Sequence, residues 1–507
     1  MEDQYSIFSV LLSFLFIVGA MGLWKRYSSS GRRAKLPPGP RKLPLIGNLH
    51  QLSGSTPHRR LRQLAEKYGP IMHVQLGEVP AVVISSPEAA KAVMKTHDLV
   101  FATRPEILMS KIVGYDSSHI AFCPYGDLWR QLRRICVLEL LSARRVQSFE
   151  PIRAGEADAL ISRISSAFSG GKITAVNLSQ IIYSFTNSVT ALAAFGEKSK
   201  HQERFMATMK RITELAGGFE LPDIFPSLTL LHSLGGAKKE MIKIHREVDG
   251  LLDAIIDEHR ARRRNDGTGG SNAIEDLVDV LLRVQQSGDL EVPITLNTIK
   301  ATILEMFTAG TDTSSGVVEW AMSELMKNPH VMERAQAEVR QSLLGKPEIK
   351  ESDIQQLHYL KLVIKETLRL HPPIPLLLPR QSREDCEING YDIPAKTRVI
   401  VNAWAIGRDS EHWENAESFQ PERFLRDSSA DFRGKHFEFI PFGAGRRMCP
   451  GMLFGLVNVE VPLARLLFHF DWKLPDGIEA GELDMTEGFG VTMRRLNNLH
   501  LIAIPCT

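Results

Sequence analysis

The sequence predicts a mainly α-helical protein with small β-sheets, placed behind an N-terminal transmembrane helix. Helical periodicity dominates from residue 51 onward, and short runs of β-branched residues occur near both ends of that region. An apolar segment without charge precedes it. A length of 507 residues is by itself typical of about three domains, but the chain contains no internal repeat.

Residues 5–24 form the predicted membrane segment. None of these 20 residues is charged, and a helix of that length spans about 30 Å, the thickness of a bilayer core. Basic residues follow the segment, whereas acidic residues precede it. A cleaved secretory signal, the alternative, carries its basic residues before the apolar run. We therefore predict that residues 1–24 are an uncleaved signal anchor and that the remainder faces the cytosol.

Residues 25–50 are predicted to form a basic, proline-rich hinge. The four prolines between Pro37 and Pro44 fix φ and remove backbone donors, so this stretch cannot be helical. A stiff hinge would hold a cytosolic body at a set orientation to the bilayer, whereas an ordinary linker is the alternative.

Charge and cysteine content exclude several classes of protein. The chain has 61 basic and 59 acidic residues, a net charge of +2, and no basic stripe, which argues against binding to nucleic acid. Its five cysteines are widely spaced, without a CxxC or a Cys/His zinc pattern. Neither a disulfide framework nor a structural zinc site is therefore predicted, and a reducing compartment fits best.

The predicted elements of the large region are mostly helices. A β-hairpin is predicted where residues 72–76 and 81–84 flank a turn at Gly77, and a further strand is predicted over residues 397–402. Residues 262–272 have the composition of an exposed loop. Helical patterns cover residues 87–96, 126–138, 240–263, 295–326, 329–344 and 353–370.

The segment FGAGRRMCPG, residues 442–451, has the pattern of a loop that presents Cys449 as a metal ligand. Its glycines allow tight turns and bring amide groups to the sulfur, which stabilises a thiolate. Arg446 and Arg447 also favour ionisation, as does the positive end of the helix predicted after Pro450. A buried structural cysteine in a glycine-rich turn is the alternative for any single cysteine.

A polar stretch, AGTDTS at residues 309–314, interrupts the predicted helix over residues 295–326. Glycine followed by hydroxyl residues is poor helix interior, and hydroxyls that bond to backbone carbonyls can bend a helix. A functional site explains such a break in the pattern, whereas close packing by small residues is the alternative.

Two pairs of residues share a predicted helix face. Glu366 and Arg369 lie at i, i+3 before two prolines that end the helix, and Arg423 follows in a PERF motif. A Glu-x-x-Arg by itself is usually a solvated pair. Trp129 and Arg133 lie at i, i+4, where a surface tryptophan stacked on an arginine is the alternative.

The cysteine loop resembles the haem-binding signature of the cytochromes P-450 and is complete at every fixed position. The motifs AGTDTS, KETLRLHPP and PERF precede it in the order of that family, and the resemblance extends from the hinge to the C-terminus. The chain is similar to plant microsomal members of the A-type clan, especially the branch with premnaspirodiene oxygenase and related terpenoid hydroxylases. The resemblance implies a cytochrome P-450 fold, with one haem-thiolate monooxygenase domain over residues 51–507.

The resemblance also implies roles for individual residues. In the cysteine loop, the expected haem-binding residues are Cys449, as axial ligand of the iron of haem b, with Phe442 and Gly443. The expected propionate-binding residues are Arg447, Arg133, Trp129 and Arg380. The expected catalytic residues, which make room for dioxygen and relay protons, are Ala309, Gly310, Asp312 and Thr313, although many relatives carry Glu in place of Asp312. The expected structural cluster, which locks the core around the cysteine loop, consists of Glu366, Arg369 and Arg423.

The function implied is hydroxylation of a hydrophobic specialised metabolite, with a sesquiterpene or diterpene as the first candidate. Relatives in this branch also oxidise alkaloids, coumarins and flavonoids, which remain alternatives. A haem-thiolate isomerase or dehydratase that needs no reductase is a competing function, and a haem-binding adaptor without catalysis is a third. The expected walls of an apolar pocket are residues 101–122, 206–219, 374–378 and 488–492, with the helix face at Leu304, Ala309 and Thr313.

The chain has no G-x-G-x-x-G fingerprint for a flavin or nicotinamide cofactor, so its electrons must come from a partner. The resemblance implies a membrane-bound NADPH cytochrome P-450 reductase, with cytochrome b5 as a further candidate and O2 as cosubstrate. The reductase is expected to dock on a basic face around the cysteine loop, at Lys435, Arg446 and Arg447. The expected location is the endoplasmic reticulum membrane, with one membrane span and a cytosolic catalytic domain.

Overall fold

The computed structural model describes residues 35–52, 56–166, 174–196, 202–215, 220–228, 236–265, 275–288, 290–426, 430–475, 477–488 and 490–506. The predicted signal anchor, residues 1–24, and the first part of the predicted hinge lie outside these residues. In the described part of the hinge no helix forms before Leu49, as its prolines predict. Leu43 and Gly47 form an isolated antiparallel bridge there.

The described residues form many helices of very different length. Two π-helical turns, Ala92–Thr96 and Cys136–Leu140, continue α3 and α5, and 3₁₀ turns occur at Gly445–Arg447 and Ala480–Glu482. The α-helices are α1 (Leu49–Leu52), α2 (Pro57–Tyr68), α3 (Pro87–Lys91), α4 (Leu108–Ile112), α5 (Asp127–Ile135), α6 (Ala143–Ser148), α7 (Glu150–Ser166), α8 (Leu178–Phe195), α9 (Gln202–Leu215), α10 (Leu221–Ile224), α11 (Gly236–Asn265), α12 (Leu277–Ser287), α13 (Leu296–Lys327), α14 (Pro329–Leu343), α15 (Glu351–Ile354), α16 (His358–Leu370), α17 (Ala403–Ile406), α18 (Arg423–Arg426) and α19 (Met452–His469).

The described strands form three small sheets with the orders β1-β2-β7-β4, β3-β9-β8 and β5-β6. The pair β2–β7 is parallel, with Ala81 beside Arg398, so the first sheet joins parts of the chain that are far apart in sequence. The strands are β1 (Ile71–Leu76), β2 (Val79–Ile84), β3 (Val176–Asn177), β4 (Arg380–Gln381), β5 (Cys386–Ile388), β6 (Tyr391–Ile393), β7 (Arg398–Val401), β8 (Phe470–Lys473) and β9 (His500–Pro505).

Helix α13 is the centre of the molecule. Its 32 residues give it a length of about 48 Å. Thr295 caps its N-terminus, because the side chain accepts a hydrogen bond from the Thr298 N–H at 3.1 Å. From Val317 to Met326 every residue is buried, which is typical of a helix surrounded by protein. The helix packs chiefly against α8 and α19, which hold the polar stretch at its middle in place.

Helix α19 follows the cysteine loop and is also part of the core. Among the described helices, it is the one long and apolar enough to cross a membrane by length and composition. However, 61% of it is buried inside the protein, as expected of a core helix. The helix continues through Pro462.

The predicted hairpin, the strand over residues 397–402 and the long helical patterns are confirmed, with two corrections. The helix predicted over residues 353–370 is two helices, α15 and α16, because the Glu338 carboxylate accepts hydrogen bonds from the Tyr359 and Leu360 N–H groups at 2.8 and 2.9 Å and starts a new helix there. Residues 262–265, predicted as the start of a loop, are helical instead. Helix α11 continues to Asn265, because its last turns still bury His259.

Candidate active site

The cysteine loop is held in a compact shape by its own backbone and by contact with α3 and the π-helical turn after it. The Cys449 N–H donates to the Phe442 carbonyl oxygen at 3.0 Å. Gly445 has a φ of +69°, and a Cβ at this position would overlap the Met94 carbonyl oxygen. Only glycine therefore fits there. Because α19 begins directly after the loop, the sulfur lies near the positive end of a long helix.

Cys449 points its thiol into an internal cavity. The Cys449 side chain is exposed to this cavity, among its lining residues. Burial raises the pKa of the Cys449 thiol, while the Gly451 N–H and the Arg133 guanidinium act in the opposite direction. A cation bound at the sulfur would favour the thiolate, which is the form that ligates a metal.

The cavity brings together the haem-binding and most of the catalytic residues that the sequence predicts. All seven predicted cofactor-binding residues line it, as do three of the four predicted catalytic residues. The cysteine loop contributes Phe442, Gly443, Arg447 and Cys449. Helix α13 contributes Glu305, Met306, Ala309, Gly310, Thr313 and Ser314. Other walls come from Trp129, Arg133, Ile374, Leu377, Leu378 and Arg380.

Arg447 is a buried residue of the cavity wall, and it donates hydrogen bonds to three backbone carbonyl oxygens. Its guanidinium donates to the carbonyl oxygens of Ala102, Ile120 and Cys123 at 2.6, 3.0 and 2.6 Å. It also lies over the Trp129 ring, 4.5 Å from its centre. The Trp129 indole N–H donates to the Ile120 carbonyl oxygen at 3.1 Å. The two side chains therefore form one rigid unit that orients the guanidinium.

Arg133 and Arg380 contact the cysteine loop from two sides. Arg133 donates to the Met448 carbonyl oxygen. Arg380 donates through Nη2 to the Ala444 carbonyl oxygen at 2.8 Å. Its Nη1 is buried without a hydrogen bond among the described residues and lies 3.6 Å from the Asp98 carboxylate. An anion at this point would satisfy the free donor.

A fourth cavity arginine, Arg104, was missed by the sequence analysis. It donates to the carbonyl oxygen of Ala121 at 2.9 Å and to those of Leu378 and Pro379 at 2.7 and 2.9 Å. Arg104 therefore ties the segment before α5 to the segment after α16. No local pattern marks such a residue, because its acceptors are far away in the sequence.

The four arginines make the cavity strongly basic. Burial lowers the pKa of Arg380 and Arg447 to about 10, and it lowers the pKa of Arg104 and Arg133 as well. Among the described lining residues, Glu305 is the one carboxylate that offsets the charge of these four cations. Haem, with an iron atom for a soft sulfur ligand and two propionates for cationic partners, fits this set of donors.

The polar stretch of α13 faces the cavity with small side chains. The Thr313 hydroxyl donates to the Ala309 carbonyl oxygen at 2.6 Å, so it competes with the helix as its residue type predicts. The α-helix nevertheless continues without a break through residues 309–314. A Cβ at Gly310 would come within 3.3 Å of Thr190 and Phe454. Close packing against α8 and α19 therefore explains this glycine at least in part.

Asp312 differs from the other predicted catalytic residues because it does not line the cavity. Its buried carboxylate forms an ion pair with Arg494, near the C-terminus. The carboxylate therefore contacts Arg494 and not the cavity, although Asp312 is next to Thr313 in sequence. A basic partner from the C-terminal segment could not be predicted from a local motif.

The predicted structural cluster is present, with Glu366 and Arg369 fully buried and Arg423 partly buried. Glu366 accepts two hydrogen bonds from Arg369, at 2.8 and 2.7 Å, and one from Arg423 at 2.9 Å. Both arginines lie over the Trp413 ring. The Trp413 indole N–H donates at 3.3 Å to the carbonyl oxygen of Glu438, which shortly precedes the cysteine loop. The cluster therefore connects α16 to the segment that leads into the loop.

The predicted apolar walls of the cavity are only partly found. Ile374, Leu377 and Leu378 of the range 374–378 and part of the range 101–122 line it, but the described residues of the ranges 206–219 and 488–492 do not. Leu304 is buried in the core and is not among the lining residues, whereas Glu305 is. The prediction for Leu304 was wrong, because packing against α8 and α19 turns the next residue toward the cavity.

Comparison with known proteins agrees with this geometry. The family description "Cytochrome P450" matches residues 37–501. Premnaspirodiene oxygenase of Hyoscyamus muticus is 52% identical over 498 residues, which cover 98% of each chain. The 5-epiaristolochene 1,3-dihydroxylase of Nicotiana tabacum is 51% identical, again over 98% of each chain. Desmethyl-deoxy-podophyllotoxin synthase of Sinopodophyllum hexandrum is 54% identical over 97% of this chain and 96% of that protein.

A solved structure supports the fold. A zebrafish cytochrome P450, determined with abiraterone, superposes with a TM-score of 0.74 at 26% identity, covering 89% of this chain and 100% of that chain. The predicted cytochrome P-450 fold is therefore confirmed. Together with the family match over residues 37–501, these similarities show that the chain belongs to the cytochrome P450 family and is a haem-thiolate monooxygenase.

Proposed function

We propose that this chain hydroxylates a terpenoid, with Cys449 as the axial ligand of haem b. Haem bound at this site supplies the activation of O2 and the insertion of one oxygen atom into a C–H bond. The observation that carries the proposal is that Cys449 and Thr313 line the same cavity. Metal ligand and proton donor then border the same reaction space.

The arginines of the cavity are assigned to the two haem propionates. Arg447, Arg133 and Arg380 each present a guanidinium, and Trp129 holds Arg447 in place. Arg104 is also assigned to the propionates, because it is buried and lines the same cavity. A planar guanidinium matches a carboxylate with two parallel hydrogen bonds, so these contacts fix both position and orientation. The other loop residues assigned to the cofactor are Phe442 and Gly443.

Thr313 and Asp312 are assigned to proton transfer. The Thr313 hydroxyl can turn from the Ala309 carbonyl oxygen toward the cavity and donate a proton there. Asp312 directly precedes Thr313 on α13. It supplies Thr313 with a new proton from the side of Arg494. Gly310 and Ala309 carry no large side chain and leave room for dioxygen beside Thr313. The cluster of Glu366, Arg369 and Arg423 is assigned a structural role.

A terpenoid substrate is supported by the apolar residues of the cavity and by two relatives. The names of premnaspirodiene oxygenase and 5-epiaristolochene 1,3-dihydroxylase state oxidation of such hydrocarbons by proteins 52% and 51% identical to this chain. The relative named as a podophyllotoxin-type synthase, at 54% identity, acts on a different skeleton by its name. Alkaloids, coumarins and flavonoids therefore form the alternative substrate set, oxidised by the same chemistry.

Electrons are proposed to come from NADPH through a cytochrome P-450 reductase in the same membrane, with cytochrome b5 as an additional donor. Lys435 and Arg446 are exposed on the side of the cysteine loop and suit an acidic partner. Arg447, also expected in this surface, is buried and belongs to the cavity instead. Residues 1–24 are proposed to anchor the chain in the endoplasmic reticulum with its catalytic domain in the cytosol.

The test is product formation by microsomes that contain this chain and a plant reductase. Sesquiterpene and diterpene hydrocarbons are supplied beside coumarin, flavonoid and indole substrates, with and without NADPH. We expect an NADPH-dependent hydroxylated terpenoid, and a lower yield of product per NADPH in Thr313→Ala, because the proton donor at the cavity is lost. The haem absorption spectrum with carbon monoxide checks that wild type and variant bind haem equally.

Each other outcome points to a different function. Oxidation of the aromatic substrates alone would retain the monooxygenase and reject the terpenoid. Conversion of a peroxide without NADPH would favour the isomerase or dehydratase. Normal haem binding with no product from any substrate class would contradict the proposed hydroxylation and favour the adaptor.

A further inference from the structure

Two buried asparagines of the core have no hydrogen-bond partner among the described residues. Asn187 of α8 and Asn458 of α19 are both 0% exposed, and neither the nitrogen nor the oxygen of either side-chain amide is paired there. A buried polar group without a hydrogen bond is costly, because it has lost water and gained nothing in return. Native proteins satisfy such groups with other protein atoms or with ordered water. The two amides therefore indicate a polar ligand between the helices that carry them.

Asn187 lies beside the polar stretch of α13. Ser179 of α8 donates a hydrogen bond to Glu319 of α13. Farther along α8, Thr190 lies beside Gly310, which precedes Glu319 on α13. The two helices are therefore antiparallel. Asn187 is one turn before Thr190 on the same face of α8, and this places it level with the polar stretch.

Asn458 approaches the same stretch from α19. A Cβ at Gly455 would lie 3.8 Å from the Ser314 hydroxyl oxygen, and Asn458 follows Gly455 by one turn on the same face. The hydroxyls of Ser314 and Thr311 are also buried without a partner among the described residues. Helices α8, α13 and α19 pack against one another. We call the side chains of Asn187, Thr311, Ser314 and Asn458 the polar seam.

The polar seam meets the cavity at Ser314, which is one of the lining residues. In the other direction, Asn187 is one turn from Tyr183, a half-buried residue beneath the Arg494 guanidinium. The Arg494 side chain is 35% exposed. The seam therefore extends from the cavity wall toward a side chain that solvent reaches.

Water fits the polar seam better than an ion or an apolar molecule. All four side chains are neutral, so they supply no counter-charge for a buried ion. The amides and hydroxyls offer both donors and acceptors, which a buried water needs for its about two to four hydrogen bonds. An apolar molecule would leave these groups unsatisfied.

We propose that the polar seam binds ordered water and that this water is a second proton source for the reaction, beside Asp312. The Ser314 hydroxyl donates its proton toward the cavity and accepts another from a seam water, which the next water toward solvent reprotonates. Only protons move along this chain of hydrogen bonds, so no oxidant or reductant is consumed. Asn187 and Asn458 are positioning residues that hold the water. The inference rests on the hydroxylase function and goes beyond the proton transfer proposed above, in which Asp312 is the source.

The first test is a high-resolution crystal structure of the haem-loaded full-length protein, which does not depend on turnover. We expect density for water at about 2.7–3.2 Å from the amides of Asn187 and Asn458 and from the Ser314 hydroxyl. This density should be missing in Asn458→Leu, where an apolar side chain takes its place. A direct hydrogen bond between the two asparagines, or a wild-type seam without water, would overturn the proposal.

The second test measures product formed per NADPH, with the substrate that the microsomes convert best. If two proton sources act in parallel, the loss of either one has a moderate effect and the loss of both a severe one. Ser314→Ala should therefore lower the yield less than about two-fold in the wild type but several-fold in the Asp312→Asn background. An equal loss in both backgrounds would overturn the second source.

Thr186→Val is the matched control for these variants. Thr186 is a buried residue next to Asn187 on α8, and its hydroxyl donates to the carbonyl oxygens of Ile182 and Tyr183 in its own helix at 3.3 and 3.1 Å. Its replacement removes a buried hydroxyl that is already satisfied. We expect the yield to stay unchanged, with and without Asp312→Asn.

Two changes at Asn458 separate water binding from packing. Asn458→Ser keeps a polar group and leaves room for a further water, so it should keep the yield while the melting temperature falls. Asn458→Leu fills the seam with an apolar side chain, so it should keep the melting temperature while the yield falls in the Asp312→Asn background. A yield that follows the melting temperature would show a packing role alone and overturn the proton source.

Failure of the role proposed for Asp312 gives a different result. Asp312→Asn then keeps the full yield, whereas Ser314→Ala by itself lowers it. That outcome would support the polar seam as the source of protons and reject Asp312.

Discussion

Arg494 forms an ion pair with Asp312, a residue of α13 that does not line the cavity. The Asp312 side chain is 4% exposed and that of Arg494 is 35% exposed, so the pair leads from the core to the surface. The Arg494 guanidinium also lies over the Tyr183 ring, 5.7 Å from its centre. A charged group that solvent can reach therefore contacts Asp312, one of the two residues proposed to transfer protons.

Replacement of Arg494 should affect stability and proton transfer separately. In Arg494→Met the buried Asp312 carboxylate loses its ion pair with Arg494, and we expect the free energy of unfolding to fall by about 1–3 kcal/mol. The double variant Asp312→Asn/Arg494→Met should regain stability, because the buried negative charge is removed together with the positive one. It should still form less product per NADPH than the wild type. Unchanged product yield in Asp312→Asn alone would reject the relay.

The cluster around Glu366 should be the most sensitive charged group in the fold. Glu366→Ala leaves Arg369 and Arg423 without their carboxylate, and Arg369 is fully buried. We expect a loss of about 3–5 kcal/mol in the free energy of unfolding, measured by thermal or denaturant unfolding. Arg426→Ala is the control, because Arg426 and Glu414 are about 80% exposed and 3.8 Å apart, and we expect a change below about 1 kcal/mol. Equal effects would contradict a structural role for the cluster.

Gly445 should not accept a side chain. Gly445→Ala places a Cβ at a φ of +69° and against the Met94 carbonyl oxygen, so we expect destabilisation by more than about 2 kcal/mol and weaker haem binding. Gly155→Ala is the matched control within α7, where a Cβ meets nothing within 4 Å. It should stabilise the protein by up to about 1 kcal/mol, since alanine favours helix. The two changes in melting temperature should have opposite signs.

The buried pair of His259 and Asp276 should make stability depend on pH near neutrality. Burial acts to lower the pKa of His259, but the hydrogen bond and charge of Asp276, 2.8 Å away, outweigh it and raise the pKa above 6.5. The pair therefore stabilises the fold fully below about pH 6.5, and this contribution is lost as the pH rises through the folded pKa. The difference in unfolding free energy between wild type and His259→Gln should be larger at about pH 6 than at about pH 8.5. A difference that grows with pH would contradict the assignment.

Local spacing in the sequence was enough to predict much of the site. Glu366 and Arg369 lie one helical turn apart, so their contact follows from the period of the helix alone. The cysteine loop is likewise one continuous segment, and its glycines identify it without reference to other parts of the chain. Residues of this kind are predictable because their partners lie within a few positions.

The residues that the sequence analysis missed or misplaced depend on distant contacts. Arg104 has its acceptors at Leu378 and Pro379, and nothing near Arg104 in the sequence indicates them. The resemblance predicts that the helix face at Leu304 completes the pocket, yet the rotation of α13 about its axis is set by α8 and α19. That rotation turns Glu305 inward instead. A hydrophobicity pattern favours the opposite choice, because a carboxylate at a cavity breaks the rule on which the pattern rests.

The parallel pairing of β2 with β7 has a consequence for synthesis of the chain. Strand β2 leaves the ribosome early, whereas its neighbour Arg398–Val401 is made roughly 300 residues later, which takes roughly 15–60 s at about 5–20 residues per second. During this interval one edge of the hairpin has unpaired backbone groups beside an apolar surface. The nascent polypeptide therefore requires protection of this edge until translation nears the cysteine loop.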